Sequence, residues 1–126
     1  MVDEVKRLVY IEDEQEMIDL VRLILNRRGY EVIGANGGRE GLDAVRKYLP
    51  HLVLLDLMMP DMDGWDVCQQ MQADEEMCKI PVVVVTAKTQ SVDRIFGFET
   101  AKVKDYITKP FGSEELRASV DRILGK

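Results

Sequence analysis

Two segments, Leu52-Val53-Leu54-Leu55 and Val82-Val83-Val84-Val85, are apolar at every position. A strand with one wet face alternates apolar and polar side chains, so runs without alternation point to strands covered on both faces. That is the habit of central strands in a parallel sheet flanked by helices. A third run, Leu8-Val9-Tyr10-Ile11, precedes them, and shorter strand-like stretches at Glu31–Ala35 and Tyr106-Ile107 bring the number to five. Helical periodicity fills the intervals. Residues 14–28 carry Met17, Leu20, Val21, Ile24 and Leu25 at helical spacing, with Arg27 and Arg28 in the last turn and Gly29 where a C-terminal cap belongs. A turn through Asn36, Gly37 and Gly38 leads into a helix reaching about Tyr48, with Leu42, Val45 and Leu49 along one side and Pro50 ending it. Further helices are predicted over about residues 65–73 and 91–100. The last begins at Ser113, a good N-cap, has Glu114 and Glu115 in its first turn, and buries Leu116, Val120, Ile123 and Leu124.

Strand and helix thus alternate about five times, which predicts an α/β fold: a doubly wound, five-stranded parallel sheet with about five helices. A chain of 126 residues that is 46% apolar has the size and the core of one domain, expected to occupy residues 1–126. Its formal charge of -6 argues against nucleic acid or an anionic membrane as a direct partner. Two cysteines, Cys68 and Cys78, are too few for a stapled secreted module, and no apolar stretch is long enough to span a bilayer. A reducing, cytoplasmic setting is the expectation.

Ligands of such sheets sit outside the carboxyl ends of the strands. Glu12 and Asp13 follow the first strand, Asp56 the third, Thr86 the fourth, and Thr108 and Lys109 the fifth. A strand ending in Asp is ordinarily a solvated turn or a helix cap; the coincidence at four strand ends is what carries weight. Clustered carboxylates repel one another unless a cation is present. A hard divalent ion, Mg²⁺ or Mn²⁺, suits them, because Mg²⁺ binds through one or two carboxylates and keeps positions free for phosphate. A carboxylate can also attack phosphorus to give an acyl phosphate. The metal, Lys109, and a hydroxyl or amide at Thr86 and Ala87 could then neutralise the equatorial oxygens of the transferring group.

With these residues the chain resembles a receiver domain of two-component response regulators over essentially its whole length. The resemblance runs from Glu12-Asp13, through Asp56-Leu57-Met58-Met59-Pro60-Asp61-Met62-Asp63-Gly64 and Thr86-Ala87, to Asp105-Tyr106-Ile107-Thr108-Lys109-Pro110-Phe111. It implies a CheY-like, flavodoxin-like strand order 2-1-3-4-5, an order for which the chemotaxis receiver is a standing example. It further implies that Asp56 accepts a phosphoryl group from a phosphohistidine of a histidine kinase or histidine phosphotransfer protein. Asp13, Asp56 and the backbone carbonyl of Met58 would hold Mg²⁺, with Glu12 acting through water. Lys109 would pair with Asp56 and then with the phosphoryl oxygens; Thr86 and Tyr106 would be the switch pair. The output surface, formed by the helix over 91–100, the fifth strand and the last helix, would serve a downstream protein target or an output domain. Lys109-Pro110 is expected to be cis, a form that costs little at proline.

Departures from the family pattern are specific. Ala101-Lys102-Val103-Lys104-Asp105-Tyr106 lacks the glycine usual before the fifth strand, and its lysines make the output face more basic. Ser119 replaces the arginine of receivers that dimerise through the output face, so a monomer or a weak phosphorylation-dependent dimer is expected. Lys88, with Met58 opposite, could hinder an attacking water and lengthen the life of the phosphoryl group. Asp61, Asp63 and Gly64 lack the offsets of a calcium loop and Gly37-Gly38 lacks the Lys-Ser/Thr of a phosphate loop, so both read as turns. His51, beside Pro50 in a connection, is neither a phosphohistidine nor part of a metal cluster. The competing functions are a receiver fold that acts without phosphorylation and an FMN-binding flavodoxin-like protein. Glu12-Asp13 would repel the phosphate of the latter.

Overall fold

The computed structural model describes residues 5–87 and 103–125. Five strands, β1 (Arg7–Ile11), β2 (Glu31–Ala35), β3 (Leu52–Leu55), β4 (Val82–Ala87) and β5 (Asp105–Lys109), form one sheet in the order β2-β1-β3-β4-β5, every pair parallel. Four α-helices lie within the described residues: α1 (Gln15–Asn26), α2 (Gly38–Tyr48), α3 (Gly64–Gln72) and α4 (Ser113–Leu124). The helix expected over 91–100, with Lys88 and Lys102, falls outside them.

The unbroken apolar runs are inside the molecule for the predicted reason. Every residue of β3 is fully buried, because alternate side chains enter two separate cores. Val9, Ile11, Val53, Leu55, Val82 and Val84 pack with α2 and α3. Leu8, Tyr10, Leu52, Leu54, Val83, Val85 and Ile107 pack with Ile18, Val21 and Leu25 of α1 and Leu116 and Val120 of α4.

Helix ends show where local pattern misleads. α1 stops at Asn26, so Arg27 and Arg28 follow its last turn instead of occupying it. Gly29 does terminate it: at φ 87° it lets its own N–H reach the Asn26 carbonyl and the Tyr30 N–H reach Leu25, the paired bonds of a glycine-ended helix. Leu49 leaves the buried stripe of α2; it turns into the left-handed region at φ 43° and is exposed, while its N–H still bonds the Val45 carbonyl. Ser113 is the first helical residue of α4, with Gly112 at the cap and no side-chain bond there. Ile123 and Leu124 are only partly buried, whereas Ser119, one turn after Leu116, is inside.

Candidate functional site

Thr86, Ala87 and Lys109 lie within the last residues of their strands, while Glu12, Asp13 and Asp56 lie just past theirs. The sheet ladder continues into the site: the Glu12 N–H bonds the Ala35 carbonyl at 2.9 Å and the Asp56 N–H bonds Ile11 at 3.0 Å, so both backbones are held before any ligand arrives. Ala87 pairs with Lys109 and Thr86 with Thr108 across β4 and β5. Gly64 lets α3 begin directly under this edge; a Cβ there would lie 2.6 Å from Leu57 Cα and 2.7 Å from the Asp56 carbonyl oxygen. Only glycine permits that approach.

Ligand oxygens of Glu12, Asp13 and Asp56 lie within 4.8 Å of one another. Glu12 is fully buried, Asp56 nearly so and Asp13 exposed, so Asp13 forms the open lip of the pocket. Lys109 Nζ donates to Glu12 Oε1 at 2.7 Å and to Asp56 Oδ2 at 3.4 Å, leaning towards the glutamate. Glu12 Oε1 also accepts from the Tyr10 hydroxyl at 2.8 Å, and Oε2 from the Glu14 N–H at 3.2 Å. Asp56 Oδ1 accepts from the Met58 N–H at 3.2 Å, which folds the Met58 residue back beside the carboxylate.

These contacts set the proton affinities. Burial, then the neighbouring Glu12 charge, push the Asp56 carboxyl up to about 7, with Lys109 and the Met58 N–H opposing. Burial alone would raise Glu12 too, but its bonds to Lys109 and Tyr10 outweigh this and hold it below the ordinary range. Burial works against the Lys109 cation, yet Glu12 and Asp56 together raise its pKa, so it stays charged. The pocket therefore holds one firm carboxylate, one that gives up its proton reluctantly, and one fixed ammonium. Three hard oxygen donors with an exposed side fit a magnesium-like ion by the chemistry of the donor set.

Tyr106 is half-buried and packs from β5 against the core shared with α2 and α3. Met58 stands at the mouth, 60% exposed. Lys109-Pro110 is cis. His51 Nδ1 accepts from the Arg7 N–H at 3.0 Å, away from the pocket. Cys68 is buried in α3, its thiol pushed up to about 12 by burial, and Cys78 is exposed. Ser119 donates its hydroxyl to Asp105 Oδ2 at 2.5 Å, and Arg122 pairs with the same carboxylate.

Two participants escaped sequence reasoning. Tyr10 was legible in principle, since it lies two residues before Glu12 on the same strand face and a buried phenol needs a partner. Asp61 was not. Its carboxylate accepts from the Gly38 N–H at 3.1 Å and the Arg39 N–H at 3.3 Å, capping α2 from a loop 23 residues away, while Asp63 Oδ1 caps α3 through the Trp65 N–H. The stretch that reads as a turn is a double cap.

The family model of the response regulator receiver domain matches residues 8–121. The alkaline phosphatase synthesis transcriptional regulatory protein PhoP of Bacillus subtilis is 37% identical over 119 residues, covering 94% of this chain and 48% of that protein. The DNA-binding response regulator MtrA of Mycobacterium tuberculosis is 39% identical over 115 residues, 91% of this chain and 49% of that one. The chain spans about half the length of these curated relatives. Among solved structures, one described as a response regulator from Chloroflexus aurantiacus superposes with a TM-score of 0.90 at 31% identity, covering 98% of this chain and all of that one. The receiver domain of a sensor histidine kinase from Pseudomonas aeruginosa, which has magnesium in its active-site cleft, shares the fold with a TM-score of 0.86 at 24% identity, over 98% of this chain and 100% of its own. With the 2-1-3-4-5 sheet and the acidic edge beside Lys109, the chain belongs to the response regulator receiver domains of two-component signalling.

Proposed function

We propose that Asp56 is the phosphoacceptor of a single receiver domain over residues 1–126, and that the domain promotes its own phosphorylation and dephosphorylation. The observation that carries this is the convergence of Glu12, Asp13 and Asp56 at one strand edge with Lys109 bonded to two of them. An Asp56 carboxylate oxygen forms a bond to phosphorus as the bond from phosphorus to the donor imidazole nitrogen breaks. The imidazole keeps the electron pair and takes a proton. Mg²⁺ or Mn²⁺, held by Asp13, Asp56 and the Met58 carbonyl with Glu12 acting through water, would stabilise ionised Asp56 and the phosphoryl oxygens. Lys109 supplies a second positive charge, and Thr86 and the Ala87 amide supply neutral donors on the β4 side.

A histidine kinase or histidine phosphotransfer protein is the proposed donor. Thr86 and Tyr106 would convey the change to β5, α4 and the segment over 91–100, the face for a downstream protein target or output domain. Buried Ser119, bonded to Asp105, supports a monomer or only a weak phosphorylation-dependent dimer through that face. The net charge of -6 supports no direct contact between these residues and nucleic acid. Among the described residues no helix is long and apolar enough to cross a membrane, consistent with a proposed cytoplasmic setting. Exposed Met58, together with Lys88, would shield the phosphoryl group from water and lengthen its life.

Incubation with Mg²⁺ and acetyl phosphate should add one phosphoryl group by intact mass, and Asp56→Ala should abolish the addition. Equal incorporation in the variant would overturn the assignment.

A further inference from the structure

Tyr10 is the next-to-last residue of β1, fully buried, on the face covered by α1 and α4. An aliphatic side chain would fill a sheet interior without the cost of desolvating a phenol, so the hydroxyl needs a reason to be there. Its partner is Glu12 Oε1, at 2.8 Å, and Lys109 Nζ donates to that same oxygen at 2.7 Å. Glu12 Oε2 receives the longer bond from the Glu14 N–H, 3.2 Å.

Lys109 is closer to Glu12 than to Asp56. If it is to bind phosphoryl oxygens on Asp56, the reading on which this inference rests, it must leave Glu12. Stripping a cation from a fully buried carboxylate is among the costliest changes a protein interior can undergo. A donor that stays behind offsets part of that cost, because a hydrogen bond to a charged acceptor strengthens when its competitor departs. Tyr10 is placed to be that donor, and its pairing with Gly34 of β2 on one side and Leu54 of β3 on the other keeps the phenol where it is while the lysine moves.

We propose that Tyr10 is a positioning residue of the phosphoacceptor site: its hydroxyl holds the buried Glu12 carboxylate while Lys109 transfers from Glu12 to the phosphoryl group. Tyr10 touches no reacting atom; it acts through Glu12. The consequence is selective. Loss of the hydroxyl penalises the state in which Lys109 has moved more than the resting state, where the lysine still covers Glu12.

The test compares wild type, Tyr10→Phe, Glu12→Gln and the double variant, titrated with Mg²⁺ alone by calorimetry and then with beryllofluoride in saturating Mg²⁺ by fluorine NMR. Tyr10→Phe should weaken beryllofluoride binding about tenfold, the loss of roughly one charge-assisted bond, while the Mg²⁺ Kd stays within about twofold. In the Glu12→Gln background, where no carboxylate loses its cation, Tyr10→Phe should cost less than about twofold. Tyr10→Met, which also lacks the hydroxyl but fills the space differently, should reproduce the pattern. Unchanged beryllofluoride affinity in Tyr10→Phe, an equal loss in both backgrounds, or a parallel loss of Mg²⁺ affinity would each overturn the role. A wild-type protein that binds Mg²⁺ but no beryllofluoride would overturn the acceptor reading and this inference with it, an outcome distinct from a wild type that binds and a Tyr10→Phe that binds equally well.

Discussion

Lys109 and Arg122 each hold carboxylates, and the two clusters differ chiefly in how much water reaches them. The Lys109 side chain is 20% exposed and bridges Glu12 and Asp56, which are 0% and 5% exposed. Arg122 is 62% exposed and pairs with Asp105, 26% exposed and also bonded to Ser119. In the first cluster removal from water makes each charge depend on the others: Asp56 gives up its proton only near neutral pH, Glu12 loses its own readily, and Lys109 keeps its charge. In the second, solvent screens the pair and little depends on it. Buried charge is poor material for stability but good material for a switch, because moving one member changes the free energy of all of them.

The sharpest way to break this contrast is to delete the lysine. Lys109→Ala leaves two carboxylates facing each other in a dry pocket and should destabilise the metal-free protein by about 3 kcal/mol near pH 8, measured by urea unfolding. A loss below about 1 kcal/mol would mean that water already screens the pocket as it screens Arg122.

Folded Asp56 titrates near 7 against an ordinary value of 3.8, so the folded state holds the proton more tightly than the unfolded chain. The associated stability is present below the unfolded pKa and is lost as pH rises through the folded one. Asp56→Asn has no such proton to lose. In a chelator it should melt with the wild type near pH 4 and above it by roughly 5 °C at pH 8, and added Mg²⁺ should narrow the gap. A gap that is the same at both pH values would remove the electrostatic explanation.

Smaller effects are expected where carboxylates meet backbone amides. Asp61→Ala leaves the first amides of α2 without their acceptor and should cost about 1 kcal/mol in urea unfolding. Asp61→Asn should recover most of it. Smallest of all, Arg122→Ala should change stability by less than about 0.5 kcal/mol and leave phosphoryl incorporation unaltered. A larger loss would show that Asp105, with Ser119 inside the fold, behaves more like the Lys109 cluster than its exposure suggests.

Much of this arrangement could be read from the residues, and the exceptions share a cause. β3 and β4 were legible because four consecutive apolar residues leave no face for water. Gly29 was legible as a helix end because a left-handed turn there favours glycine. Glu12, Asp13, Asp56 and Lys109 were legible because strand ends in a parallel sheet share one edge. Leu49 was misplaced, since nothing in the helical period announces that the chain turns left-handed one residue early. Ser113 looked like a cap and is a helical residue, because Gly112 already occupies the extended position. Asp61 looked like a turn residue and caps a distant helix, a contact set by where two loops meet in space.

What the sequence determined by itself is the inventory and its order: which stretches are buried on both sides, which alternate with helices, and which charged groups end the strands. Those properties follow from hydrophobic period and chain connectivity, which are local. Only the tertiary structure decided how the charges are shared. That Lys109 leans on Glu12, that Tyr10 competes for the same oxygen, that Asp56 is left reluctant to ionise and Asp13 open to solvent all depend on distances of a few ångström between residues up to 97 apart in the chain. Electrostatic energy in a dry pocket changes steeply over such distances, and no spacing in the sequence encodes them.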